Sequence, residues 1–152
     1  MAKIEKSIDI AVPAPQIWAY ITEPQNFLKW SGTLENLELI HETKDGIGTQ
    51  VRGTLGLMTF IIEVVEFVEN QKIVTQAIDG DFKSFTQAFL LESRDDHTYL
   101  TYLIDYRIPR VLGGRIIDRL LVQRTLEEEM TKGLKRLKQQ LEYTWGFLPH
   151  PQ

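Results

Sequence analysis

An α+β fold, with one curved antiparallel sheet of seven strands closed by a long C-terminal helix, is predicted by two patterns in the chain. From Lys3 to Ile108 apolar residues largely alternate with polar ones, the mark of half-buried strands, and turn-forming residues separate the runs. From Arg115 to Tyr143 no proline intervenes, and Ile116, Leu120, Met130, Leu134, Leu137 and Leu141 recur at helical spacing, enough for a rod of roughly 43 Å. A helix of that length needs a broad apolar surface, which the preceding strands can supply.

The first strand spans Lys3 to Val12, where Ile8, Ile10 and Val12 share one face. Pro13 and Pro15 end it and suit the first turn of a short helix through Gln16–Ile21. A second short helix, Pro24 to Trp30, presents Phe27, Leu28 and Trp30. Strands follow around Leu37 and Leu39, then over Thr49–Leu57, Met58–Phe67, Ile73–Ile78, Phe82–Glu92 and His97–Ile108. Turns are expected at Lys44–Gly46, Glu69–Gln71, Asp79–Gly80 and Arg94–Asp96. Connections of hairpin length imply an antiparallel meander, with the last helix across its concave side.

The two halves of that helix differ. The C-terminal half has a narrow apolar stripe, and Glu128 precedes Lys132 by one turn, a favourable order for an ion pair. The N-terminal half, Ile116–Ile117 and Leu120–Val122, is apolar over a wider arc, which either broadens the core or lines a hollow. Gly133 costs about 1 kcal/mol relative to alanine in a helix and points to close packing.

A chain of 152 residues suits one domain, here 1–143, with a tail over 144–152. Tyr143, Trp145, Phe147 and Leu148 at that end either fold back on the sheet or dock on a second subunit, so a monomer and a homodimer are both open. The net charge of −4 argues against nucleic acid as the main partner. The absence of cysteine removes disulfides, thiolate metal sites and a cysteine nucleophile. With no signal-like apolar run at the N-terminus, a cytoplasmic location is expected. No HExxH, metal-ligand spacing or Walker-type loop occurs, Gly46-Ile47-Gly48 reads as a turn, and neither metal nor cofactor is expected.

Strand alternation assigns an inner face: Met58, Phe60, Ile62 and Val64; Phe85, Gln87, Phe89 and Leu91; Leu100, Tyr102, Ile104, Tyr106 and Ile108. Gln87, Tyr102 and Tyr106 are the polar members. They either satisfy one another or the backbone, or orient the polar end of a ligand. His41, His97 and His150 fall at a strand end, a turn and the tail, so the common nucleophile–base sets are missing. Tyr102 and Tyr106 are the catalytic candidates, although a phenol of pKa near 10 is a poor base at neutral pH. Arg107, Arg110, Arg115, Arg119 and Arg124 gather near the helix start, where the macrodipole disfavours cations. The cluster is either a solvated face, or, through Arg110, Arg115, Arg119 and Arg124, a patch for anionic headgroups at a membrane surface.

Ala14-Pro15-Gln16-Ile17-Trp18 after a first strand, Trp30 closing the second helix, the Gly46-Ile47-Gly48 turn, and Leu134–Lys138 in the terminal helix together resemble the START/polyketide-cyclase superfamily over about residues 3–143. The resemblance implies a helix-grip fold enclosing an apolar cavity, and roles that range from lipid or metabolite binding and transfer through quinone chaperoning to aromatase or cyclase catalysis. On that basis a small hydrophobic ligand such as a lipid, quinone or polyketide is expected against Trp30, Met58, Phe60, Ile62, Phe85, Gln87, Phe89, Tyr102, Tyr106, Ile117, Leu120 and Leu121. A cyclase or dehydratase using the cavity tyrosines and an assembly or co-chaperone module are the other readings.

Overall fold

Pro13 and Pro15 turn the chain as expected: the first strand, β1 (Ala2–Ile10), stops short of them and α1 (Ala14–Ile21) starts between them. This computed structural model describes residues 2–31, 36–55, 58–81, 84–112 and 114–147. The corner is fixed from below, where the buried Thr98 hydroxyl donates to the Val12 carbonyl at 2.8 Å. Next comes α2 (Pro24–Trp30), whose second residue receives a cap from the Glu23 side chain.

Six further strands follow: β2 (Asn36–His41), β3 (Gln50–Leu55), β4 (Met58–Val68), β5 (Lys72–Gly80), β6 (Ser84–Arg94) and β7 (His97–Arg107). They build one seven-stranded antiparallel sheet in the order β1-β7-β6-β5-β4-β3-β2. The meander is local everywhere except where β1 returns to pair with β7 over its full length. Two register shifts in β4–β5, at Ile61/Ile62 and Val64/Glu66, explain why the apolar alternation of β4 is poor. The second shift leaves Val65 unpaired and exposed and reverses the inward parity beyond it, so Phe67 packs on the core and meets Trp18 edge-on at 5.1 Å.

The C-terminal part departs from expectation at both ends. Arg115 and Ile116, expected to open the helix, instead form β9 (Arg115–Ile116), paired with β8 (Val111–Leu112) in a small hairpin that turns at Gly114 with φ +79°. The helix α3 (Arg119–Phe147) starts after Asp118, whose Oδ1 accepts the Leu121 N–H at 3.0 Å. It also runs through 144–147, the first part of the expected tail, and Leu148 onward lies outside the described residues. Asp79–Gly80 is not a tight turn but the end of β5. There Gly80, at φ +121°, pairs with Phe60, and a Cβ would lie 2.3 Å from the Thr59 carbonyl. The expected Glu128–Lys132 pair is absent among the described residues, and the pair one turn apart is Lys138–Glu142 at 2.6 Å.

Met130, Leu134, Leu137 and Leu141 of α3 are buried, as the narrow stripe requires. Gly133 lets the helix lie close to α2: a Cβ would sit 3.2 Å from the Trp30 carbonyl and 3.4 Å from its ring. The carbonyls at the end of α2 have no partner within their own helix, and α3 supplies them. Arg136 Nε donates to the Trp30 carbonyl at 2.8 Å and Gln140 Nε2 to the Lys29 carbonyl at 3.0 Å. Further along, Lys138 Nζ donates to the Asp9 carbonyl at 2.7 Å, and Glu142 accepts the Ala11 N–H at 2.8 Å. Gly133→Val should therefore lower stability by about 1–3 kcal/mol in urea titration. Gly133→Ala should change it far less, because a gain of about 1 kcal/mol in helix propensity opposes the tight contact.

Candidate functional site

The interior is not filled along the whole length of α3. Where the helix passes over the middle of the sheet, a cavity of about 120 Å³ remains. Phe60, Ile62 and Val64 of β4 wall it, with Ile73 and Thr75 of β5, Phe85, Gln87 and Phe89 of β6, and Tyr102 and Ile104 of β7. The corner between α1 and α2 contributes Ile21, Thr22, Pro24 and Phe27, and α3 contributes Leu126. Inward positions bring the aromatic rings together. Phe89 stacks on its cross-strand partner Tyr102 at 4.5 Å, and Phe60 of β4 stacks on Phe85 of β6 at 5.9 Å, with β5 between their strands.

One polar pair interrupts this apolar wall. The Tyr102 hydroxyl donates to Gln87 Oε1 at 3.1 Å, which leaves the Gln87 amide hydrogens as the donors still available. Burial pushes the Tyr102 phenol above its ordinary pKa, so it stays protonated throughout the neutral range.

Of the residues expected at the ligand, Phe60, Ile62, Phe85, Gln87, Phe89 and Tyr102 line this cavity. Trp30 stands one layer behind them, 1% exposed and edge-on to both Phe89 and Tyr102 at 5.9 Å, and belongs to the core. Met58 and Ile117 pack partly buried against the core outside the cavity lining. Leu120 and Leu121 are 66% and 57% exposed, because the helix begins after the β8–β9 hairpin and these two positions of its first turn point away from the core, against which Val122 packs partly buried. The wide apolar arc of that half is therefore split, with Leu120 and Leu121 outward and Ile117 and Val122 toward the core. Ile73 and Thr75 had a readable signal in the alternation of β5. Leu126 and the α1–α2 corner did not, since their role depends on how separate elements pack.

Tyr106 faces a second space. A cleft of about 650 Å³ opens beside the end of β7 and the start of α3, lined by Ala2, Tyr106, Arg107, Ile108, Arg110, Arg119, Leu120 and Gln123. Tyr106 is 3% exposed, and its hydroxyl has no hydrogen-bond partner among the described residues. Burial, and then the nearby Glu127 carboxylate, push its pKa up. Arg124 is exposed on α3 outside this cleft, and the Arg115 side chain lies outside what the structure describes. Among the described residues, none of Arg107, Arg110, Arg119 and Arg124 forms an ion pair. His41 and His97 lie away from both spaces, and His150 is outside the described residues.

Residues 1–142 match the family model described as polyketide cyclase / dehydrase and lipid transport. An uncharacterised 17.2 kDa protein of Streptomyces lincolnensis is 22% identical over 148 residues, covering 97% of each chain. Among solved structures, the chain is similar to a START superfamily protein from Mycobacterium smegmatis, with TM-score 0.75, 21% identity and coverage of 93% and 98% of the two chains. It is also similar to the Zhui aromatase/cyclase from Streptomyces sp. R1128, with TM-score 0.79, 14% identity and 93% of each chain covered. At these identities the solved structures establish shared architecture.

Tyr102→Phe removes the donor to Gln87 and should reduce stability at pH 7 by about 1–2 kcal/mol in urea titration. Its pH dependence has a defined sign. The folded state keeps the Tyr102 proton after the unfolded chain begins to release its own near pH 10, so this contribution is whole below that pH and declines above it. The alkaline loss of stability should be shallower in the phenylalanine variant.

Proposed function

The chain belongs to the polyketide cyclase / dehydrase and lipid transport family, and from that premise we propose that it binds a small hydrophobic, carbonyl-bearing molecule between α3 and the sheet. The observation that carries this reading is the unfilled apolar space itself. Protein interiors pack densely, with few voids larger than a water molecule, and an apolar void lowers stability. A domain selected only for its fold would fill a space of about 120 Å³. Stacked pairs of rings on two sides favour a flat apolar body. The remaining amide donors of Gln87 favour a ligand that presents an acceptor, as the carbonyl of a quinone, polyketide or lipid ester does.

The space is smaller than the roughly 300–1,000 Å³ of pockets for drug-sized ligands. A ligand larger than a single ring therefore requires Phe60 and Phe85 to part. Phe60 has one direction closed to it, since its ring covers Gly53, where a Cβ would lie 2.5 Å from Cζ.

A cyclase or dehydratase reading would need a group that exchanges protons at neutral pH. Tyr102 holds its proton and directs it to Gln87, which favours gripping a carbonyl compound over converting it. The assembly reading rests on Tyr143 and Phe147, which are 71% and 76% exposed and in contact at 4.8 Å, a pair that a second subunit would cover. No described helix is long and apolar enough to cross a membrane.

Native mass spectrometry of the protein as purified, with solvent extraction, should recover a neutral apolar compound containing a carbonyl. In parallel, Leu126→Phe fills the cavity from the helix side and should weaken uptake of an apolar fluorescent probe by at least about tenfold while the protein stays folded. Wild-type affinity in that variant would remove the cavity as the site.

A further inference from the structure

We propose that the end of the molecule formed by the β8–β9 hairpin and the first turn of α3 docks on a bilayer containing anionic phospholipid, with Arg110 and Arg119 holding headgroup phosphates over the cleft. This docking does not depend on what the central cavity binds.

Four large apolar side chains lie bare at this end: Val111 at 54%, Ile116 at 86%, Leu120 at 66% and Leu121 at 57% exposure. They are close in sequence. Val111 pairs with Ile116 across the hairpin, whose base is closed by the Ile117 N–H donating to the Arg110 carbonyl at 2.7 Å, and α3 begins two residues later at Arg119. An exposed apolar group of this kind in a water-soluble domain marks a surface that meets something apolar.

The charges beside it define what that is. Arg107, Arg110 and Arg119 border the cleft without an ion pair among the described residues, and Arg124 follows on the same helix. Asp118 is engaged by the Leu121 amide at the helix start, and Glu127, the other carboxylate near the cleft, acts on Tyr106. Arginines surrounding leucine and isoleucine match a bilayer, where the apolar side chains enter the acyl boundary and the guanidinium groups bind phosphate bidentately. The Tyr106 hydroxyl adds a second, independent observation. Tyr106 lines this cleft, and its buried hydroxyl has no partner among the described residues, an unmet hydrogen-bonding capacity behind the cleft wall. A helix N-terminus at the same place favours an anion as well.

Co-sedimentation with vesicles at low salt tests the proposal. The protein should bind vesicles of phosphatidylcholine mixed with phosphatidylglycerol, fail to bind phosphatidylcholine alone, and release as salt is raised. Arg110→Ala and Arg119→Ala should each weaken binding about fivefold. Leu120→Asp with Leu121→Asp should abolish it, and these residues are exposed, so circular dichroism should show the variants folded. Both sets should take up the apolar probe as the wild type does. Equal binding to both vesicle types, no binding to either, or unchanged binding in the variants would overturn the proposal. So would saturable binding of inorganic phosphate that leaves vesicle binding absent, which would make the cleft a free-anion site. A dimer in light scattering that Leu120→Asp dissociates would overturn it too, by assigning the apolar surface to a second copy of the chain.

Discussion

The contact between Gly133 and Trp30 sets how far α3 stands from the sheet. A glycine is otherwise a poor helix residue, and here its missing side chain is what allows the helix to reach the Trp30 carbonyl and ring. Trp30 in turn backs Phe89 and Tyr102, so the position of one helix is passed through a single indole to the wall of the cavity. The orphan carbonyls of α2 receive Arg136 and Gln140, which orients the helix about that contact as well as fixing its distance.

A gradient along α3 follows from this anchoring. Downstream of Gly133, Lys138 and Glu142 tie the helix to the backbone at the end of β1 and just after it, and the leucine stripe is fully buried. Upstream, Leu126 is the one residue of α3 that lines the cavity, and a turn and a half earlier the apolar side chains are already exposed. The same helix is thus a core element at one end, a cavity wall in the middle and an exposed amphipathic surface at its start. Elements with few packing contacts open at the lowest free energy, so the upstream end is the part of the helix best placed to yield to an entering molecule.

The cavity and the arginine cleft differ in kind. In the cavity, aromatic rings surround one satisfied polar pair, an environment that rewards shape and one hydrogen bond. At the cleft, cations without an ion pair and a hydroxyl without a partner among the described residues accompany exposed leucines, an environment that rewards negative charge next to hydrocarbon. Tyr102 and Tyr106 are four residues apart on β7 and share the inner face of the sheet, yet they belong to these different spaces.

Period and punctuation in the chain were enough for the seven strands, the two short helices after Pro13, the long helix, and the inward faces of β6 and β7. These features are local: alternation, prolines and turn residues act within a few positions of themselves. The aromatic part of the cavity, Phe60, Phe85, Phe89 and Tyr102 with Gln87, was legible for the same reason, since strand parity dictates it. Parity failed in β4 beyond Val64, where a bulge resets it, and helical spacing failed before Arg119, where Arg115 and Ile116, expected to open the helix, instead pair across a hairpin that turns at Gly114. Tertiary structure alone decided that Leu126 faces the cavity while Leu120 faces out, that Trp30 belongs to the core, and that the Tyr102 hydroxyl has a partner while that of Tyr106 has none among the described residues. Each of these depends on the distance and angle between elements far apart in the chain, and no residue pattern within one element encodes that.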